Sequence, residues 1–141
     1  MQSKTNCVLT CLTIAFAAAL ALAEDLKLYP GAKLDQKASH DASSGRAHCQ
    51  VYTTEDSFEK VYAFYRAAYK EVQWPLRPPR LPSGKDVQWA YFILDGGKDL
   101  AHSKYRLKIQ RPFILTVGAG DLDFKGIRDI STIQTVRRDQ E

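Results

Sequence analysis

Cysteine is scarce in this chain, and its placement removes most of what there is. Of three cysteines, Cys7 and Cys11 lie in an apolar leading segment. A chain trimmed of that segment keeps only Cys49 and has no internal disulfide to form. Histidine is equally thin: His40, His48 and His102 share no H-x-x-x-H or HExxH spacing, which excludes the common zinc motifs. His48 and Cys49 are neighbours, and on a strand neighbours point to opposite faces. Gly96-Gly97 and Gly118-Ala119-Gly120 lack the Lys-Ser/Thr that a phosphate loop needs. Asp121-Leu122-Asp123-Phe124-Lys125-Gly126 starts like a calcium loop. It then places the cation Lys125 and later Thr132 where the loop requires oxygen ligands and a bidentate glutamate. Ser39-His40-Asp41 has the residue types of a catalytic triad, but adjacent side chains diverge and a triad must converge from separate elements. These absences leave no assignable catalytic residue, no metal site and no cofactor.

Long apolar runs are missing too, with one exception at the start. Met1 to Asn6 carries the single charge Lys4, and Cys7 to Leu22 is apolar or small throughout. Ala21-Leu22-Ala23 then meets the small-x-small requirement of a signal peptidase, just ahead of Glu24-Asp25. The run is shorter than the roughly 20 apolar residues of a membrane span. The expectation is a cleavable secretory signal over residues 1–23 and one small domain over residues 24–141, with no transmembrane segment in the mature chain. A disulfide-free exported domain fits a periplasmic or secreted protein, most simply in a bacterium. Export also disfavours nucleic acid as a partner. Cys49, within His48-Cys49-Gln50-Val51, reads first as a buried strand residue, with an intermolecular disulfide or a reactive thiol as the alternatives for an odd cysteine.

The formal net charge is +4, and the excess is uneven. From Arg77 onward there are 12 basic residues against 8 acidic ones. Such a bias attracts anions without naming one.

Glu24 to Ala47 is polar and turn-rich: Pro30-Gly31 marks a turn and Ser39 to Gly45 an exposed loop, with Leu26, Leu28 and Tyr29 pinning the start to the core. Cys49 to Thr54 alternates as a strand. A helix follows from Ser57 to about Val72, opened by a capping box in which Asp56 accepts from the Glu59 N–H. Its stripe of Phe58, Val61, Tyr65, Ala68 and Val72 faces a core, and Pro75 forbids its continuation. Trp74 to Lys85 holds four of the six prolines and reads as an extended, stiff crossover. Val87 to Leu94 is apolar on nearly both faces, a central strand. Tyr105 to Gln110 alternates, with Tyr105, Leu107 and Ile109 inward and Arg106, Lys108 and Gln110 outward. Phe113 to Val117 is expected as an edge strand after Pro112, and Ile130 to Val136 as the last strand. Together these predict an α+β fold: an antiparallel sheet of about four to five strands with one long amphipathic helix packed across it.

Two features stand out as candidate ligand sites. Lys104, Arg106 and Lys108 form a cationic row on the outward face of their strand, suited to an anionic envelope component unless acids on neighbouring strands neutralise it. Tyr62 and Tyr69, seven residues apart on one helix face, belong to an aromatic surplus that fits a small apolar ligand as well as a core flank. Tyr29-Pro30-Gly31-Ala32-Lys33, Val51 to Val61 and Phe64-Tyr65 together resemble a pattern found in bacterial exported proteins of no assigned activity. The resemblance covers about the first half of the mature chain. It implies compartment and fold type and transfers no functional residue. The functional expectation is a non-enzymatic exported domain that binds a ligand. The alternatives are an envelope factor recruited to anionic surfaces by its basic strand, or a small envelope enzyme with a site assembled from scattered residues such as Asp95, Asp99 and His102.

Overall fold

The computed structural model describes residues 26–114, 116–117 and 121–139, so the signal-like segment and the Gly118-Ala119-Gly120 stretch lie outside the described residues. In chain order the elements are β1 (Lys33–Leu34), α1 (Gln36–Ala42), β2 (Ala47–Thr54), α2 (Phe58–Arg66), β3 (Lys70–Val72), β4 (Gln88–Ile93), β5 (Tyr105–Arg111), β6 (Thr116–Val117), β7 (Asp121–Leu122), a 3-10 turn at Phe124–Gly126, and β8 (Ser131–Arg138). The fold is α+β, with a six-stranded sheet ordered β1-β2-β8-β5-β4-β3 and every neighbouring pair antiparallel. The sheet is therefore larger than the four to five strands expected, and two short helices replace the single long one. Among the described residues no helix is long and apolar enough to cross a membrane.

β8, last in sequence, lies in the middle, between β2 and β5. Its residues suit that place. Ser131, Thr132, Ile133 and Thr135 are all buried, and three of the four are β-branched, a shape that packs well on a pleated surface.

α2 lays Val61 and Tyr65 on this sheet, each with 0% of its surface exposed, against the equally enclosed Phe92, Leu107, Ile109 and Ile133. The middle of the expected stripe thus packs as read, but the helix stops early. Ser57, not Asp56, is its N-cap, accepting from the Lys60 N–H at 3.4 Å. Asp56 instead accepts from the Tyr29 hydroxyl at 2.9 Å and pairs with Lys60. Ala67 closes the helix, Ala68 is exposed, and Lys70–Val72 becomes β3, with Val72 opposite Tyr91. The physical reason is the edge of β4. A continued helix would leave that edge without hydrogen-bond partners, whereas β-branched Val72 gains a cross-strand aromatic neighbour.

The predicted loop around Ser39 is in fact the second half of α1, capped by Asp35, whose Oδ1 accepts from the Ala38 N–H at 2.9 Å. This helix covers the open edge of β2 with its serines. The Val51 N–H donates to Ser39 Oγ at 2.8 Å and the Cys49 N–H to Ser43 Oγ at 2.9 Å. Two hydroxyls four residues apart thereby stand in for the missing strand, one recognised way of blunting a sheet edge. Ser39→Ala and Ser43→Ala should each cost about 1–2 kcal/mol, because a partly buried N–H loses its acceptor. Lys37→Ala, which removes only an exposed pair with Asp41, should cost under about 0.5 kcal/mol. Urea melts of the three variants check this; equal losses would show that the hydroxyls do not hold the edge.

Three smaller expectations also change. Leu26 and Tyr29 pack on the core, but Leu28 is exposed. Phe113 forms only an isolated bridge with Arg128, and Thr116–Val117 pairs with Asp121–Leu122 in a separate two-stranded ribbon. Pro112, with no N–H to donate, ends the β5 ladder. Between β3 and β4 the proline-rich crossover is held by a bridge of Arg80 with Asp86 and by the Val87 N–H on the Pro79 carbonyl at 2.9 Å.

Candidate functional site

The sheet has two unlike faces. The register places Leu107 and Ile109 of β5 beside Phe92 and Ala90 of β4 and Thr135 and Ile133 of β8, all on the side that α2 covers. The intervening residues face the other way: Arg106, Lys108 and Gln110 on β5, Ile93, Tyr91 and Trp89 on β4, Val136, Gln134 and Thr132 on β8. No carboxylate stands among them. Arg138 continues the same row of β8 and adds another cation, close enough for its charge to act on Arg106.

The expected cationic row is on this face, though it is not a solvated strip. Lys104 lies just ahead of β5 and is exposed; its N–H donates to Asp95 at 2.6 Å. Arg106 is partly buried and donates to the Leu100 carbonyl at 3.5 Å. Lys108 is partly buried among aromatic rings, its Nζ 5.3 Å from the centre of Trp89 and 5.8 Å from that of Tyr91. Among the described residues none of the three side chains forms an ion pair with a carboxylate. Burial pulls the Lys108 ammonium down to a pKa of about 8. Burial, and then the charge of Arg138, lower that of Arg106. The same enclosure pushes the Tyr91 hydroxyl up to about 12. Desolvation penalises the charged form, and here no acid offsets it.

Beside Lys108 is a feature that no sequence motif singles out. Trp74 stacks on Tyr91 with ring centres 4.7 Å apart and planes within 15°, while Trp89 meets Tyr91 edge-on at 5.7 Å. These rings and the Glu71–Pro78 segment, which brings one acid and one base, Glu71 and Arg77, line a groove of about 390 Å³ along the β4 edge; the Glu71 carboxylate accepts from the Tyr62 hydroxyl. Leu76 projects beside it with 66% of its surface exposed. The signal for this site was the apolar character of both faces of Val87 to Leu94. Trp89, Tyr91 and Ile93 form the second face, and they sit on the side away from α2.

Tyr62 and Tyr69 belong to the other side and are built into the fold. Tyr62 donates to Glu71 Oε2 at 2.8 Å and stacks on Phe58 at 5.8 Å. Tyr69 lies beyond the end of α2, so the two do not share a helix face. Its hydroxyl accepts from the Lys27 N–H at 2.9 Å.

Asp95, Asp99 and His102 are each engaged in local contacts. Burial alone would raise the Asp95 carboxyl. The N–H groups of Lys104, Gly97 and Tyr105 and the Ser103 hydroxyl outweigh it and hold the carboxyl below its usual range. Asp99 and His102 pair at 2.7 Å on the surface. Cys49 is buried on β2 with no disulfide. Asp123 caps the 3-10 turn through the Lys125 N–H at 3.0 Å, and the Asp121 side chain lies outside the described residues. Among the described residues no group of three or more His, Cys, Asp or Glu side chains could hold a metal ion.

Comparison with protein-family models, curated proteins and solved structures finds no match to this chain.

Proposed function

We propose that this is an exported, non-enzymatic binding domain that takes up an anionic ligand on the sheet face opposite α2. The observation that carries the reading is a face on which the residues of β4, β5 and β8 include Arg106, Lys108 and Arg138 and no carboxylate. Structural cations on a sheet are ordinarily matched by acids across the strand, since like charges there repel. Arg106 and Lys108, partly buried and unmatched, are poorly solvated, and a bound anion would relieve that cost.

The periplasmic or secreted location rests on the leading segment and on the resemblance to bacterial exported proteins. Protein recovered from the cell envelope should begin at Glu24, and an intact Met1 would remove the assignment.

Binding is tested with polyphosphate, an acidic polysaccharide and phosphatidylglycerol vesicles. Wild type and a Lys104→Ala/Arg106→Ala/Lys108→Ala variant are compared at low and physiological salt. The triple variant should bind its best probe at least about tenfold more weakly, corresponding to about 1.4 kcal/mol or more. Wild-type affinity should fall as salt screens the charges. Indistinguishable binding by the two proteins would remove the reading. The envelope-factor alternative differs in its partner: it requires the vesicles to be the preferred probe.

A further inference from the structure

The cations and the aromatic groove share residues. Trp89 and Tyr91 lie within reach of the Lys108 ammonium and also line the groove that Trp74 and Pro75 to Pro78 enclose. Trp74 and Trp89 each keep part of their surface open. Directly across from Lys108 on β8 stands Gln134, also partly exposed, whose amide can both donate and accept. One continuous surface therefore offers flat apolar rings, a donor–acceptor amide and two cations, Arg106 and Lys108, roughly 7 Å apart along a strand.

Each element restricts the ligand. The cations call for negative charge. Their partial burial argues against a flat bilayer, whose headgroups would meet the exposed rim and not the enclosed ammonium. The rings call for a ligand with flat apolar faces, which inorganic phosphate and polyphosphate lack. The amide calls for a hydroxyl or carbonyl beside the charge. A chain of acidic sugars has all three: ring faces of C–H groups, hydroxyls around the rim, and a carboxylate per acidic residue.

We propose, building on the anion-binding reading above, that the ligand is an acidic polysaccharide whose carboxylates meet Arg106 and Lys108 while a neighbouring sugar face stacks on Trp74 and Trp89 in the groove. Trp74 is then the residue that separates a glycan site from a generic anion site, because it carries no charge.

The test uses the full chain after export and a tetragalacturonate probe, followed by calorimetry and tryptophan fluorescence. The comparison ligands are maltotetraose, phosphatidylglycerol vesicles and an oligothymidylate. Trp74→Leu keeps apolar cover on Tyr91 but removes the stacking surface, and Trp89→Leu is a second variant in case the first melts early. Tetragalacturonate should bind and shift the tryptophan emission. Either leucine variant should weaken it at least tenfold, as should Lys108→Met, and maltotetraose should not bind at the same concentration. Wild-type affinity in a folded Trp74→Leu protein, or stronger binding to vesicles or oligothymidylate, would overturn the glycan assignment and leave the anion site standing. Absence of binding to every anionic probe would overturn both.

Discussion

Replacing Tyr65 by alanine is expected to remove about 4 kcal/mol of folding stability, within the usual range for truncating a buried aromatic. Tyr65 is fully enclosed. Its ring meets Phe64 edge-on at 5.0 Å and lies 6.1 Å from Tyr69 and 6.5 Å from Phe92. Alanine would open a cavity between helix and sheet at the point where α2 contacts β4 and β5. The hydroxyl is a separate quantity. It accepts from the Tyr29 N–H at 3.1 Å, so Tyr65→Phe keeps the packing and strands one donor, at a cost of about 1 kcal/mol. Lys60→Ala, on the exposed side of the same helix, should cost under about 0.5 kcal/mol. Denaturant melts should rank Tyr65→Ala far below Tyr65→Phe, with Lys60→Ala near wild type. Comparable losses from the two alanine substitutions would mean that α2 presents a different face to the sheet. Melts should be run below about pH 9, because burial raises the pKa of the Tyr65 hydroxyl far above that of a free tyrosine. In the unfolded chain that hydroxyl ionises first, so stability falls as pH climbs past about 10.

Periodicity located the core of α2 because Val61 and Tyr65 repeat at helical spacing and nothing competes with them. The end of the helix was not legible, because Ala68 and Val72 extend the same pattern. What stops it is the unpaired edge of β4, a strand about twenty residues further on. α1 escaped detection for a related reason. Ser39 and Ser43 look like loop residues, and their use as acceptors for Val51 and Cys49 appears only once β2 lies beside them. The strand alternation of Tyr105 to Gln110 correctly put Arg106 and Lys108 on one face, since a period of two leaves no other choice. Whether acids faced them depended on strand order, and the insertion of β8 next to β5 is a tertiary fact. The groove was visible only as an excess of apolar residues on β4. Tyr62 and Tyr69 drew attention instead because residues seven apart on a helix suggest a shared surface, and the early end of α2 cancels that.

Lys108→Met is expected to make the protein more stable, by about 2 kcal/mol at pH 7. The ammonium has a pKa of about 8 in the folded chain, lowered by burial from the ordinary 10.5. A pKa lowered by one corresponds to about 1.4 kcal/mol of preference for the neutral form, partly offset by attraction to the Trp89 and Tyr91 rings. Below pH 8 the lysine is protonated in both folded and unfolded chains, and the fold carries the whole cost. Between about pH 8 and 10.5 the unfolded chain holds a proton that the folded one has released, so wild-type stability rises with pH relative to the variant. Above 10.5 the lysine is neutral in both states and the gap should close. Taking the difference between the two proteins at each pH cancels the tyrosine ionisations that act on both. A gap that does not change from pH 7 to 10.5, or a variant less stable throughout, would mean that the ammonium is well solvated and needs no anion. The ligand supplies the converse. An anion beside Lys108 raises its pKa and binds only the folded chain, adding about 2.7 kcal/mol at a concentration a hundred times its Kd. The tenfold weaker Kd of Lys108→Met leaves it about 1.4 kcal/mol less of that gain, so at pH 7 with saturating tetragalacturonate its lead over wild type should shrink from about 2 to under about 1 kcal/mol. That narrowing should fade as the pH passes 8 and the lysine loses its charge. A side chain that weakens the free protein and tightens its hold on the ligand is placed for binding, at the expense of stability.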